Sequence, residues 1–215
     1  MNNIVLDDKK KIVTLKKHKD AVKKVLLHGN MKNTIKIDKK YLEICNRVDQ
    51  ELKNIGMECT FEEIIVADFK QLKKYVNDLE NKGVKFGKYS KKHIDGKPFQ
   101  VIYEAYDKLI SKNYNNDLIS NLGISVCPYC NRDYVNNRGD YSSVQLDHFF
   151  PRSKFPIFAI SLFNLIPSCY ACNHIKSDKM LGLSPYDEYD IDELLKFTYS
   201  INGLDFFTRS EALSI

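Results

Sequence analysis

The sequence predicts an α+β protein: a mostly helical, basic N-terminal region, residues 1–123, followed by a mixed segment, residues 124–215, of short extended pieces and turns. Three observations predict it. Before Gly123 the apolar residues recur at helical spacing, with recognisable start and stop signals. From Ile124 that spacing gives way to turn clusters and short runs of strand character. The second segment also carries two Cys-x-x-Cys pairs, Cys127/Cys130 and Cys169/Cys172, each spaced so that a tight turn presents two thiolates to one ion.

Residues 15–28 form the first expected helix, with Ala21, Val22, Val25 and Leu26 on one side and Gly29-Asn30 as its stop. Asp38 is placed to cap a second, through Tyr41, Ile44, Cys45, Val48 and Leu52 to Gly56. Thr60 and Glu63 make a capping box for a third, whose stripe from Ile64 and Ile65 through Phe69, Leu72, Val76 and Leu79 runs to Gly83. Residues 83–98 are polar, glycine-bearing and rich in lysine, so they read as a loop. Its simplest reading is a solvated crossing, although Lys85, Lys88, Lys91, Lys92 and Lys97 among Phe86, Tyr89 and His93 would also suit a phosphate backbone. Residues 99–111 predict another helix, with a short one ending at Leu122-Gly123. Residues 136–140 are a turn cluster and 144–150 a strand. Residues 197–201 and 204–208 flank Asn202-Gly203 as a C-terminal β-hairpin, because Asn-Gly readily takes the positive φ of a type I′ turn.

Composition narrows the classes. Lys and Arg outnumber Asp and Glu by eight in residues 1–123 and are outnumbered by three beyond them, so polyanion affinity belongs mainly to the first part. The start lacks an apolar export signal, and the longest greasy stretch, residues 155–167, is too short to span a bilayer and contains Pro156, Ser161 and Asn164. A cytoplasmic protein without membrane attachment is expected. Six cysteines then favour metal binding over a disulfide framework, with Cys45 and Cys59 as small core residues. His18, His28 and His93 stand alone and read as structural.

Four thiolates suit tetrahedral Zn²⁺, and a shell of four cysteines leaves no position open for water or substrate. This zinc is therefore expected to be structural. Around it stand Asp147-His148-Phe-Phe-Pro151-Arg-Ser153, Asn164-Leu165 and Cys169-Tyr-Ala-Cys172-Asn173-His-Ile-Lys176. In order and spacing these elements resemble the HNH endonucleases of the ββα-metal superfamily, in the subgroup stapled by two Cys-x-x-Cys knuckles. The resemblance covers residues 127–179.

It implies a zinc-stapled ββα nuclease domain within residues 124–215, with His148 as general base, Asn164 orienting the imidazole, and Asp147 and Asn173 as ligands of one Mg²⁺ or Mn²⁺. His174 is a rival to Asn173, but the spacing to Cys172 and Lys176 fits Asn173. Phosphodiester hydrolysis needs an activated water, neutralised phosphoryl charge and help for the leaving oxygen, which a near-neutral His and one hard cation can supply. Lys176, Arg152, Lys154 and Arg132 are candidate backbone contacts. Phe149, Phe150, Phe155, Phe158 and their apolar neighbours read as the small core of this unit.

The expected function is cleavage of DNA, with RNA, including tRNA, as an alternative substrate. A zinc module that binds nucleic acid or protein without catalysis is the rival from another class. A small HNH unit behind an unrelated helical region also resembles nucleases of bacterial antiphage defence systems, Septu-type and retron-linked. That likeness implies an ATPase subunit, or a second copy of the chain, as partner.

Overall fold

Side-chain caps decide where the first helices begin, and two of them act where the periodicity alone did not place a start. In the computed structural model, which describes residues 3–27, 34–110, 114–135, 137–138, 141–142, 144–187, 200–201 and 213–214, Asp7 accepts from the Lys10 amide at 2.8 Å and opens α1, Asp8–Leu26. The helix thus starts a full two turns before the apolar stripe. Helix α2, Thr34–Asn54, likewise begins ahead of Asp38. Thr60 and Glu63 do form a reciprocal capping box, opening α3, Phe61–Val66. The expected continuation to Gly83 is interrupted: Ala67 is extended, and Asp68 accepts from the Gln71 amide at 2.8 Å to open α4, Phe69–Asn81. A short acid that can bond its own backbone favours a new cap over helix interior. Residues 84–98 form no regular element before α5, Gln100–Ile110, and α6, Tyr114–Leu122, follows.

The strands are short. Strands β1 (Asn137–Arg138) and β2 (Tyr141–Ser142) pair about the turn cluster. β3 (Gln145–His148) pairs antiparallel with β4 (Leu165–Ser168), setting Asp147 opposite Ile166 and His148 opposite Leu165. Between them run two single 3₁₀ turns, and α7, Tyr170–Lys176, follows β4 directly. Two strands and a helix thus enclose the segment that carries the motif. The architecture is α+β. The expected hairpin about Asn202-Gly203 lies outside the described residues save for β5, Ser200–Ile201, which pairs with β6, Leu213–Ser214.

One apolar core crosses the expected boundary at residue 123. It joins Val22, Val48, Leu52, Ile64, Leu72 and Ile102 to Leu146, Phe150, Phe158 and Ile166 without a break. The phenylalanines expected to form a separate small core pack on one another and, in addition, against the helices. Phe150 stacks on Phe69 of α4 at 5.6 Å, Phe149 meets the same ring edge-on at 5.0 Å, and Phe158 stacks on Tyr75. The physical reason is area, since two four-residue strands and a seven-residue helix are too small to bury such rings alone. His18 reinforces the junction. Fully buried on α1, it contacts the Tyr114 hydroxyl of α6 and donates from Nε2 to the Ile160 carbonyl at 2.8 Å. Among the described residues no helix is long and apolar enough to cross a membrane.

Candidate functional site

The four cysteines come from two turns that the fold brings together. In the first, Cys127 donates its amide to the Asp133 carbonyl, and Asn131, in the left-handed region at φ 55°, returns its amide to the Cys127 carbonyl, both at 2.8 Å. The second is the start of α7, where Cys169 is the cap and its sulfur accepts from the Cys172 amide at 3.5 Å. All four Sγ atoms lie within 4.8 Å of one another, with Cys130 and Cys169 at 4.0 Å. A tetrahedral ion with Zn–S bonds of about 2.3 Å needs sulfurs about 3.8 Å apart, so the cluster is compatible with zinc. None of the six cysteines is in a disulfide. Burial pushes the Cys130 thiol up, but backbone bonds at Asp133 and Arg132 and the neighbouring thiols outweigh it and hold it down to about 6.

Neighbours on a strand point to opposite faces, and β3 obeys this. Gln145 and Asp147 face α7, while His148 faces α5. Across the first contact, Asn173 donates its side-chain amide to Gln145, and Lys176, one turn later, places its ammonium 3.1 Å from each carboxylate oxygen of Asp147. The same ammonium donates to the His148 carbonyl at 2.6 Å, and the Tyr129 hydroxyl, within the first knuckle, donates to Asp147 Oδ2 at 2.6 Å. Asp147 and Lys176 are both almost wholly buried. Burial raises the Asp147 pKa from its ordinary value, against the opposing pull of Lys176 and Tyr129.

On the other face, His148 Nε2 lies 2.9 Å from the Ala159 carbonyl. A carbonyl only accepts, so Nε2 carries the proton and Nδ1 keeps the lone pair of the neutral ring. The imidazole meets the Tyr106 ring of α5 edge-on at 4.2 Å, and Tyr106 fixes itself by donating to the Leu146 carbonyl at 2.7 Å. Burial first, then the charges of Arg152 and Lys176, push the His148 pKa down to about 3, against the Ala159 bond. The ring is neutral at physiological pH.

Asn164 does not touch the imidazole through any bond of its amide. Wholly buried, it accepts from the Phe150 amide at 2.8 Å and donates to the carbonyls of Phe150 (3.1 Å) and Phe158 (2.9 Å). It thereby braces the segment just after His148 and the residue preceding the Ala159 carbonyl. Its hold on the ring is indirect. Asn173 faces β3, whereas His174 lies on the exposed side of α7, stacked on Tyr170. Two of the expected backbone contacts already have partners within the protein. Lys176 is buried at Asp147, and Arg152 stacks on Tyr103 and Tyr106 and pairs with Asp107 at 3.2 Å. Lys154 and Arg132 are exposed.

Comparison with known proteins adds one partial likeness. The chain is 33% identical over 89 residues to Protein ea31 of Escherichia phage lambda. That match covers 38% of this chain and 27% of the phage protein, so the chain spans only about a quarter of that relative. No protein-family model matches the chain, and no solved structure matches it.

Four contributors to this site escape sequence reading. In the sequence Tyr106 reads as one more apolar-face residue of the helix expected over 99–111, yet it walls the imidazole. Tyr129 is one of the two residues between the cysteines of the first knuckle, Gln145 lies outside the motif, and Ala159 acts through its backbone. A tyrosine inside a Cys-x-x-Cys turn was the one local hint, because a buried phenol needs an acceptor.

Proposed function

We propose that the chain is a metal-dependent endonuclease of the HNH type that hydrolyses phosphodiester bonds in DNA. The observation that carries this reading is the pairing on β3 of two unlike buried groups. One is an imidazole fixed as the Nε2–H tautomer, with Nδ1 bearing the lone pair. The other, one residue away, is a carboxylate that faces the helix carrying Asn173.

In this reading His148 Nδ1 takes the proton of the attacking water. Ala159 holds the ring against rotation, Tyr106 excludes solvent from its face, and Asn164 stiffens the backbone on both sides. An anionic phosphate beside the ring offsets the charges of Arg152 and Lys176 and draws its pKa back up toward the range useful to a base. Asp147 and Asn173 carry oxygens of the kind that Mg²⁺ or Mn²⁺ prefers. Both Asp147 oxygens lie 3.1 Å from the Lys176 ammonium, on the face of β3 opposite to His148, so a cation held there would have to displace Lys176 and act across the strand end. Such a cation supplies neutralisation of the phosphoryl oxygens and of the leaving group. The cysteine cluster, with zinc bound, pins the first knuckle to α7 and carries no chemistry. Service in an antiphage system beside an ATPase subunit, or as a homodimer, follows from the family resemblance alone.

One observation favours the rival reading, a non-catalytic zinc module: the Asp147–Lys176 pair already serves as a buried brace. Nicking of supercoiled plasmid in Mg²⁺ or Mn²⁺ separates the two. Under the nuclease reading nicking depends on the cation and is abolished in His148→Ala, whose melting temperature stays near that of the parent. Unchanged nicking in that variant sinks the assignment, and total RNA incubated in parallel reports the alternative substrate.

A further inference from the structure

The lysine-rich crossing between α4 and α5 is a feature of the sequence that the proposed site leaves unused, and it is not a loose loop. Phe86 packs edge-on against Phe99 and Phe155. Tyr89 and Ile94 form a small buried cluster with Tyr103 of α5. The Tyr89 hydroxyl donates to the Pro98 carbonyl. Lys97 turns inward, donating to the Lys88 carbonyl with its ammonium over the Tyr89 ring at 4.7 Å. The other lysines do the opposite.

Lys85, Lys88, Lys91 and Lys92 are exposed, and no Asp or Glu occurs between residues 85 and 94. Among the described residues Lys91 alone of the four approaches a carboxylate, that of Asp107 at 3.7 Å. That carboxylate locates the loop. Asp107 also takes the Arg152 guanidinium at 3.2 Å, Arg152 lies over the Tyr106 ring at 4.6 Å, and Tyr106 meets His148. Three contiguous side chains thus separate the lysine finger from the imidazole.

We propose that this loop is a nucleic-acid backbone contact that extends the candidate site, its four lysines neutralising phosphates beside the bond presented to His148. The proposal rests on the nuclease reading and adds how the substrate is held. With Arg152 and Lys176 already paired within the protein, the loop adds four exposed cations to the exposed Lys154. Because aromatic anchors already order its backbone, binding costs little further ordering. Contacts to phosphate carry no sequence information, so the loop supplies affinity and register and not target choice.

The test is binding of a fluorescent DNA duplex, and in a second arm an RNA hairpin, by the full chain carrying His148→Ala. It is repeated with Lys85, Lys88, Lys91 and Lys92 all changed to Gln, and again with all four changed to Arg. Each phosphate contact adds about 0.9 to the slope of log affinity against log salt on duplex DNA, so the Gln variant should lose about 2 to 4 from it. Affinity should fall about 10- to 100-fold, with an unchanged melting temperature, and the Arg variant should recover both. An unchanged slope, or no binding of either nucleic acid by the parent, overturns the proposal. So does a loss seen only with phosphatidylserine vesicles, which would assign the lysines to a membrane. Cleavage by the His148-intact protein is scored separately. Binding that depends on the loop without any cleavage removes the nuclease reading and leaves the contact, whereas cleavage with loop-independent binding does the reverse.

Discussion

His18 should make the junction between the two regions acid-labile. Its imidazole is wholly buried between α1, α6 and Ile160, and burial, partly opposed by the Ile160 bond, lowers its pKa from 6.5 to about 4. The unfolded chain therefore binds a proton that the folded chain refuses. Stability from this residue is fully present above the unfolded pKa and is lost as pH falls through the window from 6.5 to about 4. A gap of this size contributes about 3.4 kcal/mol in the acid limit, of which about 2 kcal/mol is gone by about pH 5. The perturbation is His18→Gln, which keeps an amide donor for the Ile160 carbonyl but does not titrate. Urea unfolding of both proteins at several pH values between about 7.5 and 5 gives the difference of their stabilities. The lability of the thiolates and of His148 is common to both and cancels. The difference should shrink, and then change sign, by about 2 kcal/mol toward acid. Parallel stability-versus-pH curves would refute the reasoning and mean that His18 is hydrated in solution.

Metal analysis should find about one zinc per chain, and Cys172→Ser or a strong chelator should lower the melting temperature by about 10 °C or more, since such sites contribute folding energy directly. Lys176→Met leaves the Asp147 carboxylate buried without its cation and should cost about 3 to 5 kcal/mol in urea unfolding. Pairing it with Asp147→Leu should restore much of that loss, because two apolar groups remove both charges. Asn164→Ala strands the Phe150 amide and two carbonyls and should cost about 3 kcal/mol. Equilibrium unfolding near neutral pH checks it, and a loss below about 1 kcal/mol would mean that water takes over these bonds.

The motif was legible because it is local. Two cysteines at a spacing of three make a knuckle wherever they fold, and Asp147 and His148, as neighbours on a strand, must diverge. The capping box at Thr60 was legible for the same reason, its partners lying within one turn. Asp68 carries the same kind of local signal, but the apolar stripe running across it masks the break in a reading by periodicity. What could not be read depends on residues far apart in the chain: Tyr106 against His148, Tyr129 on Asp147, His18 on Ile160. The burial of Lys176 belongs here too, because a cation one turn past Asn173 looks solvent-facing until a carboxylate is brought beside it.

The sequence by itself determined the element types, the four-cysteine cluster and which residues stand next to one another at the candidate site. Tertiary structure alone decided that the phenylalanines of the motif belong to the core of the helices, while a small cluster of Cys127, Val135, Val144 and Cys169 with Ile119 stays apart from it. The motif's strands and helix are too short to bury Phe149, Phe150 and Phe158, so α4 and α5 close over them. The same packing makes the helical region a wall of the imidazole pocket. Apolar area sets that outcome, and area is a property of the assembled chain.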